Sequence, residues 1–132
     1  MLGCFIKKFI KFHGFSILCS ICILILCVVK LPNQNSMSLF PNFDKFVHFM
    51  MYFSLSTILI LETIGSQKKS IRNFLRTALV ALITSLILGG LIEIIQSDFT
   101  TYRSGDIMDW LFDISGSVAA CLVIGLIRLA FR

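Results

Sequence analysis

The chain reads as an all-α membrane protein with four transmembrane helices, and three observations predict this. Its 132 residues are 57% hydrophobic, above the roughly 45–50% apolar share of soluble chains. The mean hydropathy is +0.91. The apolar residues gather into four windows, at about 14–31, 46–64, 75–96 and 107–129, each near the ~20 residues that cross a bilayer as a helix. Little lies outside them, so one domain over 1–132 is expected.

The first window follows Lys7, Lys8 and Lys11, as the cationic start of a signal peptide would. Its apolar stretch is long for such a peptide, and no Ala-x-Ala type site precedes Lys30-Leu31-Pro32. Cys19, Cys22 and Cys27 follow Leu18, Ile21 and Leu26, where lipoprotein cleavage needs a small residue. A retained first helix is therefore expected. Pro32, Asn33, Asn35, Pro41 and Asn42 mark a turn-rich connector, after which Asp44 is placed to cap the second helix. A short basic loop over 65–73 leads into the third. Ser85-x-x-x-Gly89 in the third window, with Ser115-x-x-x-Ala119 and Gly116-x-x-x-Ala120 in the fourth, are small-xxx-small patterns. They predict close antiparallel packing of helices 3 and 4.

Basic residues set the expected orientation. Nine of them (Lys7, Lys8, Lys11, Lys68, Lys69, Arg72, Arg76, Arg128, Arg132) fall on one side of the four spans and three (Lys30, Lys45, Arg103) on the other. The positive-inside rule then puts both termini in the cytoplasm of a cytoplasmic (inner) membrane protein. The acidic residues divide the opposite way: Asp44, Glu93, Asp98, Asp106, Asp109 and Asp113 lie at or near the outer end, and Glu62 alone near the inner one. The net charge of +5 is thus a topology signal and argues against a nucleic-acid partner, which would face a basic patch on a soluble module. Five cysteines, with Cys19-x-x-Cys22 inside an apolar run and no second pair, read as small apolar packing residues.

The ionisable groups of the second half sit where apolar runs begin or end. Asp44 and His48 are i, i+4 at the start of helix 2 and share a face. Glu93 and Gln96 close helix 3, Glu93 among Leu91, Ile92, Ile94 and Ile95, where a carboxylate must be paired, hydrated or protonated. Asp106, Asp109 and Asp113 fall at i, i+3, i+7, a stripe about 10 Å long at the start of helix 4. Helix 3 ends where helices 2 and 4 start, so one outward-facing polar pocket formed by helices 2, 3 and 4 is expected. Tyr102, Arg103 and Trp110 frame it. The expected ligand-binding set is Asp44, Lys45, His48, Glu93, Gln96, Arg103, Asp106, Asp109 and Asp113. Glu62 reads as solvated beside the basic loop, His13 as interfacial, and no polar group is expected at mid-depth.

Three segments together resemble the VanZ-like family of small bacterial membrane proteins: Asp44-Lys45-x-x-His48-Phe49 with Tyr52 following, Glu93-x-x-Gln96, and Arg103-x-x-Asp106-x-x-Asp109 with Gly116 three residues after Asp113. Many family members carry Asn where this chain has Asp113, so the resemblance implies an extra carboxyl that either carries a further proton or changes what the pocket holds. The resemblance implies a cell-envelope protein with an effect on glycopeptide (teicoplanin) susceptibility. It implies no assigned reaction.

Three readings follow. In the first, the site binds a membrane lipid or lipid-linked cell-wall precursor at the outer leaflet, with Arg103 and Lys45 on phosphate or carboxylate. The local excess of acidic groups opposes an anion there unless a cation bridges. In the second, His48, Glu93 and Asp109 are the catalytic candidates of a metal- or acid/base-dependent hydrolase or transferase. No cofactor is required by any motif, since HExxH, a serine nucleophile elbow and a recognised metal spacing are all absent. A divalent metal at His48, Glu93 and Asp109 would be the exception. In the third, Arg103 pairs with Asp106 or Asp109 and His48 with Glu93, and the network only ties helix ends together.

Overall fold

In lipid, a chain can satisfy its backbone polar groups only by closing them into helices or barrels, and these apolar runs fold into four helices. The computed structural model describes residues 2–29, 41–65, 70–99, 101 and 105–131, with side chains from residue 13 onward. The helices are α1 (Leu2–Val28), α2 (Phe43–Gly65), α3 (Ile71–Phe99) and α4 (Ile107–Ala130), and the described residues contain no strand. Three of them, α2 to α4, are long and apolar enough to cross a membrane.

The expected first helix at 14–31 is corrected at both ends. α1 begins at Leu2, is broken at His13 (φ −122°, ψ 25°) and ends at Val28. The apolar piece, His13–Val28, is shorter than the other three helices. The break has a partner. Glu62 of α2 accepts hydrogen bonds from Phe15 N (2.8 Å) on Oε1, and from Ser16 N (3.3 Å) and Ser16 Oγ (2.6 Å) on Oε2. It thereby caps the orphan amides at the start of the second piece. Glu62 is therefore not a solvated surface charge. Both its oxygens are committed, and the His13 ring lies 3.8 Å away.

α2 and α4 run in one direction and α1 and α3 in the other. The most extensive contact is between α2 and α4, because Gly116 lets their backbones meet: a Cβ there would collide with the Phe49 carbonyl and lie 3.1 Å from Phe53 N. The Gly116 stripe thus faces α2, whereas the sequence pattern assigned it to α3. Ser115 is exposed. The Ser85–Gly89 stripe does face α4, and a Cβ on Gly89 would lie 2.6 Å from Asp113 Oδ2 and 2.9 Å from Trp110 Cδ1.

Two apolar clusters hold the bundle. Ile23 and Cys27 of α1 pack with Tyr52, Leu55 and Ile92 towards one end. Ile60, Phe74, Ala81 and Ile124 pack towards the other. Between them lies a polar layer that the sequence reading did not expect at mid-depth. Ser56, Ser85 and Ser117 are each buried. Ser85 Oγ donates to Ser117 Oγ (2.9 Å), Ser117 also bonds Ser56, and Ser85 reaches Ala81 O at 3.1 Å. Three hydroxyls in apolar surroundings find partners only in one another and in a spare carbonyl, which links α2, α3 and α4. Leu79, Ile83, Ile87, Leu122 and Leu126 are exposed on the outside, as a lipid-facing surface requires.

Candidate functional site

Above the serine layer, at the end where α2 and α4 begin and α3 finishes, ionisable side chains from three helices converge. α4 is set by Asp106, whose extended backbone (φ −122°, ψ 115°) and side chain cap the helix by accepting from Met108 N at 2.9 Å. α2 starts after Asn42, which adopts the left-handed region (φ 63°). Asp44 lies inside the first turn, so it complements the helix dipole and does not occupy the cap position that the sequence suggested.

Lys45 reaches across from α2 to α4, with Nζ 2.7 Å from Asp106 Oδ2 and 3.1 Å from Asp109 Oδ1. This ammonium, together with the Met108 amide, holds the Asp106 carboxyl below the usual carboxylate range. One turn deeper, His48 is 1% exposed and its Nδ1 lies 2.9 Å from Asp113 Oδ1, while Nε2 faces Asp109 Oδ2 at 3.8 Å. With Asp113 ionised, Nδ1–H donates and the ring is oriented by a buried carboxylate. Glu93 Oε2 accepts from Asp106 N at 2.6 Å, so the end of α3 is tied to the start of α4.

Several polar atoms remain over. Asp113 Oδ2, Glu93 Oε1 and the Tyr52 hydroxyl are buried and have no hydrogen-bond partner among the described residues. Two triads bring one ligating atom per residue within 4.8 Å of one another: Asp44, His48 and Asp109; and His48, Glu93 and Asp113. They share His48. A cleft of about 490 Å³ between α3 and α4 reaches Glu93 and is lined also by Gly90, Ser97, Asp98, Gly105 and Trp110.

The structure thus brings together Lys45, His48, Glu93, Asp106, Asp109 and Asp113, with Asp44 at the rim. Gln96 turns away from them: its Nε2 donates to Cys27 O of α1 at 2.8 Å, so it closes the bundle against the first helix. Arg103 and Tyr102 lie outside the described residues. His48 pairs with Asp113, where the purely structural reading paired it with Glu93. Ser56 and Ser117 were missed, and Tyr52 and Ser85 entered only through the family resemblance and a small-residue stripe, although a further signal was present. His48, Tyr52 and Ser56 recur at i+4, as do Asp109, Asp113 and Ser117; Glu93, Gly89 and Ser85 do so in reverse. α2 and α4 thus each give a polar stripe, and α3 gives Glu93 and Ser85 with Gly89 between them on one face.

No curated protein and no solved structure matches the chain. A family model described as VanZ/LLP1 matches residues 5–128, a span that takes in all the residues converging at this end and almost the whole of the four helices. The chain therefore belongs to the VanZ/LLP1 family.

Proposed function

We propose that this protein spans the cytoplasmic membrane four times with both termini in the cytoplasm, and that its ionisable cluster binds a lipid headgroup or lipid-linked envelope precursor at the outer leaflet. One observation carries this reading: at one end of the bundle, charged groups of α2, α3 and α4 converge and leave two carboxylate oxygens and a phenol without partners among the described residues. Burying such groups is costly, and a network that served only to join helices would satisfy them. The α3–α4 cleft gives a lipid a lateral approach to Glu93. Lys45 supplies a cation at the rim. Sequestering a lipid-linked precursor would be the route by which the protein alters glycopeptide (teicoplanin) susceptibility.

Native mass spectrometry of the full chain from mild detergent tests this. A phospholipid or precursor retained by the wild type and lost in Glu93→Gln and Lys45→Gln is the expected result. Equal retention in all three, or none in the wild type, removes the proposal.

A second reading, hydrolysis or group transfer on the same class of lipid-linked precursor, is favoured by the pairing of His48 Nδ1 with Asp113. A carboxylate that orients an imidazole is the arrangement general acid/base chemistry uses. Release of a headgroup from a precursor on mixing with purified protein, abolished by His48→Gln, would establish it.

A further inference from the structure

We propose that His48, Glu93 and Asp113 hold a divalent cation of the Zn²⁺ or Mn²⁺ type, and that this cation presents a net-neutral Lewis-acidic centre to the anionic part of the ligand. The proposal deepens the binding reading above and rests on it for the bridging role, though not for the cation itself.

Geometry is the first support. One ligating atom from each of the three residues lies within 4.8 Å of the other two. His48 Nδ1 and Asp113 Oδ1 are 2.9 Å apart. Two ligand bonds of about 2.0–2.2 Å at the tetrahedral angle put nitrogen and oxygen roughly 3.4 Å apart, so a cation would displace the shared proton and part the two groups by about 0.5 Å. A set of one imidazole and two carboxylates suits Zn²⁺ and Mn²⁺ better than Ca²⁺, which takes oxygen ligands alone.

The second support is what the site leaves unused. Asp113 is 0% exposed, and its Oδ2 has no hydrogen-bond partner among the described residues; nor does Glu93 Oε1. Tyr52, also 0% exposed, sits one turn along α2 from His48 within electrostatic reach of Asp113 and Glu93, with its hydroxyl equally unpartnered among those residues. These atoms are independent of the Lys45 bridge, which is committed to Asp106 and Asp109.

Charge is the third. Two ionised carboxylates beside a neutral imidazole carry −2, and no lysine or arginine among the described residues pairs with either of them. A protonated His48 would leave −1 in a low-dielectric setting, whereas a divalent cation leaves zero. The other triad, Asp44, His48 and Asp109, is the poorer candidate because Lys45 already lies 3.1 Å from Asp109. A bound cation also lessens the main obstacle to an anionic headgroup: six acidic against three basic residues sum to −3 at this end, and a divalent cation brings that to −1.

The test uses the purified full chain in detergent, with Co²⁺ as an optical probe and elemental analysis of metal retained after desalting. The expected result is one equivalent of metal per chain with visible absorption bands of a nitrogen–oxygen site. Glu93→Gln and Asp113→Asn each weaken Co²⁺ binding at least tenfold while eluting as the same folded species, and Glu62→Gln leaves it unchanged. Failure of the wild type to bind Co²⁺, Zn²⁺ or Mn²⁺ at millimolar concentration overturns the proposal, and so does binding that survives Asp113→Asn. Lipid retention is then measured with and without EDTA. Retention that ignores EDTA while one equivalent of metal is removed overturns the bridging role and leaves the headgroup site standing. Metal binding with no lipid retained under any condition overturns the headgroup reading and leaves the cation site standing.

Discussion

Glu62 and Glu93 are the two glutamates of this chain, each on a long apolar helix and each accepting from a backbone amide of another segment, yet they end in opposite states. Glu62 spends both oxygens: Oε1 on Phe15 N, Oε2 on Ser16 N and Ser16 Oγ. Glu93 spends one, on Asp106 N, and its Oε1 is buried without a hydrogen-bond partner among the described residues. A carboxylate whose acceptor capacity is filled by amides is a structural cap. One left half-filled beside an oriented imidazole and a second half-filled carboxylate is arranged for something that is not part of the chain. What separates them is therefore the remaining valence of each group, since burial and charge are similar.

The largest effect that bears on this contrast comes from Gly116→Val. Its side chain would push on the Phe49 carbonyl and Phe53 N, which are backbone and cannot rotate aside. A loss of about 3 kcal/mol in thermal or denaturant unfolding is expected, and ligand retention should fall with it, since the site at this end is built across the α2–α4 contact. Next comes Glu62→Ala, which strips the cap from the second piece of α1. Stability should drop by about 1–2 kcal/mol with lipid and metal retention unchanged; a loss of retention here would end the division between the two glutamates.

Glu93→Gln should behave the other way round. It keeps the shape and an oxygen for Asp106 N, so stability should move by less than about 1 kcal/mol, while ligand retention falls at least tenfold. If unfolding shows Glu93→Gln to be as damaging as Glu62→Ala, Glu93 is a structural group as well. The smallest effect concerns pH. The Asp106 carboxyl is held below its ordinary range by Lys45 and the Met108 amide, so its contribution is complete above the unfolded-state value of about 3.9 and is lost as pH falls through the depressed native value. Between pH 5 and pH 3 the wild type should lose slightly more stability than Asp106→Asn, measured by melting temperature.

Much of this was legible in the sequence. Runs of apolar residues leave a chain few choices in a bilayer, so the positions of α2, α3 and α4 follow from composition and length. The convergence of His48, Glu93, Asp109 and Asp113 follows from three helix ends meeting. Partner choice was not legible. Whether His48 turns to Glu93 or Asp113, and whether Gly116 faces α2 or α3, depends on rotations of whole helices that a pattern of small residues does not specify. The break at His13 was hidden for a related reason: the carboxylate that stabilises it comes from Glu62, distant in sequence and visible only once α1 and α2 are side by side. Gln96 was misplaced with the pocket because its actual partner, the Cys27 carbonyl, is a backbone atom with no signature in the residue types.

The interlocked hydroxyls of Ser56, Ser85 and Ser117 have a mechanical consequence. In an oily surrounding, sliding one helix past another by a fraction of a turn would strand all three at once. Gradual creep is thereby penalised, and the helices hold a single alignment until the layer breaks as a unit. Charges perched one or two turns away inherit that stiffness, so a guest arriving at the rim meets side chains already fixed in place and spends little of its binding energy on ordering them.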